Sequence, residues 1–103
     1  MTTTKSTKMT RANYNGAEKI TALGNDLTIA RNKACSLFAG EYKNFALDNQ
    51  GEGLSVVSFF GNDNQLAGES LHDSKSVEVE AIKYYLKALR RYLNQCEKVF
   101  GGA

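Results

Sequence analysis

Several residue types that usually betray a small protein's chemistry are scarce or missing in this chain of 103 residues. Proline and tryptophan do not occur, histidine occurs once, and cysteine occurs twice. Cys35 and Cys96 are far too few for the disulfide framework of a secreted domain of this size. Both sit on or beside apolar helical spacings, which reads as reduced, buried thiols. The lone His72, between Leu71 and Asp73, leaves no paired-His or Cys/His spacing for zinc and no second imidazole to activate a serine. It reads as a solvated junction residue or part of a helix cap. No apolar run approaches the roughly 18 residues of a membrane span. No membrane partner is therefore expected, and the chain reads as soluble and cytoplasmic.

Excess charge of one sign is also lacking. The chain carries 13 basic and 11 acidic residues, a net charge of +2. Lys5, Lys8 and Arg11 lie among threonines and serines in residues 1–13, a stretch without the apolar core of a secretory signal. It reads as a disordered basic tail ahead of a single domain, residues 14–103. Without those cations the body is close to neutral, which weakens the case for a polyanionic partner.

Catalytic signatures are missing too. Glu78 and Glu80 are two apart on a predicted helix and point in different directions, so they make no acid/base pair. The glycines at 51, 53 and 61 accompany neither a Walker-type lysine nor a dinucleotide fingerprint, and the turn at 62–64 lacks the ligand spacing of a calcium loop. No nucleophile elbow occurs. The chain is expected to be non-enzymatic, with no catalytic residue, metal or cofactor.

What is present is periodicity. Along residues 74–100, Ile82, Tyr85, Leu86, Leu89, Leu93, Cys96 and Phe100 fall in one arc about 120° wide on a helix. Lys83, Lys87, Arg90, Arg91, Asn94 and Lys98 occupy another side. Between them runs a strip of Ala81, Tyr84, Ala88, Tyr92 and Val99. Earlier, Asn15 with Glu18 three residues on resembles a capping box and predicts a helix start. Ile20, Leu23, Leu27, Ala30, Ala34 and Leu37 then follow at helical spacing, with Gly40 as the left-handed stop. Ala30 and Ala34 predict close approach of another element.

Between the helices the period shortens. Residues 42–47 and 54–60 are rich in β-formers and flank a turn cluster, which predicts a hairpin. A weaker run over 65–71 predicts a third strand. The order α-β-β-β-α defines an α+β, two-layer sandwich: a three-stranded antiparallel meander with two helices packed on one face. If each element reverses the last, the helices run parallel and place Cys35 and Cys96 at the same end of the core. Asp73 or Ser74 should cap the last helix. The middle strand is apolar on both faces, with Leu54, Val56 and Phe60 alternating with Val57 and Phe59. One set meets the helices, and the other needs a cover.

Two surfaces could bind. Lys83, Lys87, Arg90, Arg91 and Lys98 have the spacing of a phosphate-tracking stripe, or of a helix's solvated side. Tyr84, Ala88 and Tyr92 have the composition of an interface core, or of a seam against the first helix. Phe59 and Phe60 add the uncovered sheet face.

In element order the chain resembles the double-stranded-RNA-binding domain, with Tyr42 in the first strand, the hairpin of residues 51–59, and Ser74-Lys75 opening the last helix. That family grips phosphates with lysines there. Here Glu78 and Glu80 follow, repelling phosphate, and the family's Gly-Pro-x-His turn is absent. The architecture also resembles small phage-encoded accessory proteins, including anti-CRISPR inhibitors, which implies a protein that occupies a host protein's functional surface. The expectation is therefore a protein-binding module, an inhibitor of a host defence or nucleic-acid-processing complex, with homodimerisation as another way to cover its apolar surface. A nucleic-acid-binding module using the basic stripe and the tail is the alternative.

Overall fold

A computed structural model describes residues 11–101, with side chains from residue 16 onward. The elements are α1 (Arg11–Leu37), β1 (Asn44–Gly51), β2 (Leu54–Phe60), β3 (Leu66–Asp73) and α2 (Val77–Cys96), which ends in a π turn (Glu97–Gly101). The strands form one antiparallel sheet in the order β1-β2-β3. The predicted α+β sandwich is the fold observed. Positions 1–10 of the expected tail lie outside the described residues. Residues 11–13 are already helical, so α1 does not begin at an Asn15 cap. Contacts with the far end of α2 accompany this longer start: the Gln95 side-chain amide donates to the Gly16 carbonyl at 3.3 Å.

The hairpin turn is tighter than the polar cluster suggests. β1 runs on through Asp48, Asn49 and Gln50, and the chain reverses at Glu52 and Gly53, both with positive φ as a type I′ turn demands. β3 likewise continues through His72. Asp73 and Ser74 do not cap α2, because their side chains are used elsewhere. Asp73 accepts from the Lys75 N–H at 2.7 Å, and the Ser74 hydroxyl pairs with that of buried Ser55 at 2.7 Å. Ser76 is the cap, accepting from the Val79 N–H at 3.2 Å.

α2 is the element that lies on the sheet. Its Val79, Ile82 and Tyr85 are buried with Phe45 and Val57 of the strands and with Ala30 and Ala34 of α1. Phe38, the residue that follows α1, has its ring centroid 5.9 Å from Phe45, 5.5 Å from Phe59 and 5.4 Å from His72. His72 is thus neither a loop residue nor a cap. It stands on the inner face of β3, half-buried, edge-on to Phe38 and hydrogen-bonded to Ser70 at 2.6 Å.

The helices run antiparallel, not parallel. Gly16 lies against Gln95 and Val99, Gly24 against the Tyr92 ring, and Lys33 beside Ala81. The reversal rule fails at its first joint. Residues 38–43 double back on the helix end, where the Cys35 sulfur accepts from the Tyr42 N–H at 3.2 Å. Cys35 and Cys96 therefore sit at opposite ends of the helix pair. From Gly16, beside Cys96's neighbour, to Cys35 is a helical rise of about 28 Å.

Two further consequences shape the surface. Beyond Leu89 only Gln95 of α2 is buried. The two helices continue past the sheet as an overhanging pair, in a molecule 56 Å long and 25 by 22 Å in section. The apolar stripe of α2 continues with them, so Leu93 is 54% exposed and Phe100 70% exposed.

Candidate protein-binding surface

Strand periodicity sorts the sheet's side chains into two sets. Phe45, Ser55, Val57 and Phe59 face the helices. Ala46, Asp48, Leu54, Val56, Ser58 and Phe60 face away. Register then adds β3: Val56 is flanked by Asp48 and Leu71, Ser58 by Ala46 and Glu69, Phe60 by Asn44 and Leu66, and Leu54 by Asp73. The outer face is consequently an apolar patch with Leu54 39%, Leu66 56% and Leu71 59% exposed. No helix of the described chain crosses it.

Its charge is of one sign. The strand sequences contain Asp48, Glu69 and Asp73 and no lysine or arginine. Glu69 accepts from the Ser58 hydroxyl at 3.2 Å, which fixes one carboxylate across the middle of the face. Glu52 in the hairpin turn extends the acidic rim. The face thus carries two apolar groups, Phe60 with Leu66 and Val56 with Leu71 and Leu54, separated by the polar row of Ser58 and Glu69.

The opposite side of the molecule is basic. Lys83, Lys87, Arg90, Arg91 and Lys98 are all exposed on α2, and Lys19 of α1 joins Arg91 and Lys98 around one shallow groove. The one ion pair among the described residues is Lys83 with Glu80, at 3.6 Å and well exposed, which contributes little to stability.

The structure separates the residues that the sequence groups as binding candidates. Tyr84 is 55% exposed on the basic side, but Ala88 is only 8% exposed and Ala81 7%. These alanines form the seam with α1 and are not available to a partner. Tyr92 is half-buried, its ring 3.3 Å from where a Cβ on Gly24 would stand. The Tyr92 hydroxyl titrates above the ordinary tyrosine range, first through a hydrogen bond to Cys96 one turn on, with the Cys96 charge and partial burial adding to it. Phe59 is likewise a core residue: its ring lies 4.7 Å from Tyr42 and packs across β3 over Gly68. Phe60, its neighbour, faces outward and stays with the candidate surface.

Sequence reasoning missed Leu66, Leu71 and the acidic rim. The signal was the strand pairing, which sets Leu71 beside Val56 and Leu66 beside Phe60 and cannot be read before the register is known. Among the described residues no group of His, Cys, Asp and Glu is placed to hold a metal ion, and no helix is long and apolar enough to cross a membrane. Comparison of the chain with protein-family models, with curated proteins and with solved structures finds no match.

Proposed function

We propose that this protein is a non-enzymatic binding module that occupies a basic, partly apolar surface on another protein through the outer face of its sheet. The observation that carries the reading is the set of exposed Leu54, Leu66 and Leu71, crossed by Glu69 and edged by Asp48 and Asp73, with no lysine or arginine on the strands. Exposed apolar side chains gathered on one face are the signature of an interaction site. A carboxylate rim favours a positively charged partner and repels nucleic acid. Basic surfaces of that kind are what nucleic-acid-processing proteins present to their substrates. Inhibition of a host defence or nucleic-acid-processing complex by covering such a surface is the action proposed.

Affinity capture with tagged full-length protein, run side by side with Leu71→Ser, Asp48→Lys and Lys87→Glu/Arg91→Glu variants, tests it. A specific protein retained by the wild type and by the helix variant, and lost with either sheet variant, is the expected result. Retention by the sheet variants with loss in the helix variant would refute the reading.

The exposed cations of α2 with Lys19 favour a second reading, a nucleic-acid-binding module using the helix side. Titration with duplex RNA and duplex DNA at several salt concentrations separates the two. Submicromolar affinity falling steeply with salt supports nucleic-acid binding. Ser76, Glu78 and Glu80 open α2 where a phosphate would have to approach its N-terminus, so weak binding of duplex RNA is expected.

A further inference from the structure

Ile82, Leu86, Leu89, Leu93 and Cys96 recur along α2 at spacings of four and three, the seam of a coiled coil, and Phe100 follows in the π turn. The sheet uses the first part of this seam. Ile82 is fully buried, and Leu86 and Leu89 pack against the core. From Leu93 onward the stripe has left the sheet: Leu93 and Phe100 stand exposed, and Cys96 is half-buried. Gly24 under the Tyr92 ring and Gly16 against Val99 hold α1 tightly beside this half of α2. The overhang is therefore a helix pair whose apolar positions Leu93 and Phe100 are left exposed by the described residues.

We infer that this side docks a second copy of the chain, the two α2 overhangs crossing antiparallel about a two-fold axis near Asn94 and Gln95. A two-fold contact must be self-complementary, and the charges beside the seam meet that condition. Arg90 and Glu97 lie on the same flank, seven residues apart, so each falls on the flank position next to the seam in consecutive heptads. Antiparallel pairing sets Arg90 of each copy opposite Glu97 of the other. The same register stacks Leu93 of each copy on Cys96 of the other. Both Arg90 and Glu97 are exposed, and neither has an ion-pair partner within its own chain among the described residues. The contact runs along one helix from each copy, about 10 Å from Arg90 to Glu97, and is well below the size of a standard interface. That is the size of a weak, concentration-dependent dimer, and it leaves the outer sheet face free.

Sedimentation velocity of the full chain across a dilution series from micromolar to millimolar tests this. The expected result is a monomer–dimer equilibrium whose dissociation constant rises at least thirtyfold in Leu93→Asp, an exposed position whose change leaves the monomer's core intact. Arg90→Glu and Glu97→Arg should each weaken the dimer about tenfold by making both reciprocal pairs repulsive. The double variant should recover it. A strictly monomeric wild type, as residues outside the described range folding over the stripe would give, overturns the inference. So does a dimer insensitive to Leu93→Asp, or one abolished by Leu71→Ser, which would place the contact on the sheet. Loss of partner capture in Leu71→Ser with the dimer intact would separate this inference from the sheet-face reading.

Discussion

The hydroxyl of Tyr85, in the middle of α2, donates to the side-chain oxygen of Asn44, the first residue of β1, across 2.9 Å. This bond fixes where the helix crosses the sheet. Asn44 in turn accepts from the Phe45 N–H at 2.9 Å, so one amide side chain ties the helix to the strand start. Tyr85 is 2% exposed, and burial raises its pKa. The nearby Arg31 charge opposes the shift, and Cys35 adds to it.

A Tyr85→Phe variant should lose about 1 kcal/mol of unfolding free energy at neutral pH in denaturant titration, leaving Asn44 short of a donor. The pH dependence has a definite sign. Because the folded pKa lies above the unfolded value near 10, the neutral phenol's contribution is complete below about pH 10. It fades as pH rises through the folded pKa. The wild type should therefore lose stability more steeply than Tyr85→Phe above pH 10. Parallel alkaline profiles would mean that Tyr85 is not buried as described.

Gly40, at the end of α1, does not play the part its position suggests. Ala39 takes the left-handed conformation, with φ of 55°, and the Gly40 N–H closes the helix on the Cys35 carbonyl at 3.2 Å. Gly40 is required for space, since a Cβ there would stand 2.5 Å from the Tyr42 ring. Ala39→Gly should accordingly stabilise the fold by about 0.5 to 1 kcal/mol. Gly40→Ala should destabilise it by about 1 to 3 kcal/mol. Thermal melts of the two variants, moving in opposite directions, check this.

These cases show what could be read in advance. The middle strand was legible to the residue, because alternation over residues 54–60 is a local signal bounded by turn residues. So was α2, whose stripe is long and regular. The helix direction was not legible. It depends on residues 38–43 folding back through the contact of Cys35 with Tyr42, a tertiary event with no local spelling. The same gap hid the overhang: Ile82 and Leu93 belong to one stripe in sequence, and only the position of the sheet makes one core and the other surface. Likewise Tyr84 and Ala88 lie on one strip of α2, and the presence of α1 decides that the alanine is sealed and the tyrosine open.

Antiparallel helices separate the two thiols, and that has a chemical consequence. Mild oxidation should give no disulfide within a chain, since a rise of about 28 Å lies between the sulfurs' positions along the pair and a bridge requires Cα atoms within about 7 Å. Mass spectrometry after oxidation and trypsin digestion checks it. A Cys35–Cys96 crosslink in the monomer would restore the parallel arrangement.

The sharpest test of the two-faced sheet uses adjacent residues of β2. Phe59 lies among Phe38, Tyr42 and Phe45 and over Gly68, where a Cβ would come within 2.6 Å of its ring. Removing it leaves a cavity inside that cluster. Phe59→Ser should cost about 3 to 5 kcal/mol, much of a small domain's stability. Phe60, one residue on, faces away from the helices beside Leu66 and Asn44. Phe60→Ser should cost under about 1.5 kcal/mol, because the ring is only partly removed from water. If the outer face binds a basic partner, the same change should weaken capture of that partner at least tenfold while the melt stays cooperative. Equal destabilisation by both substitutions would mean that the outer face is covered within the chain, and the proposed binding surface would then not exist.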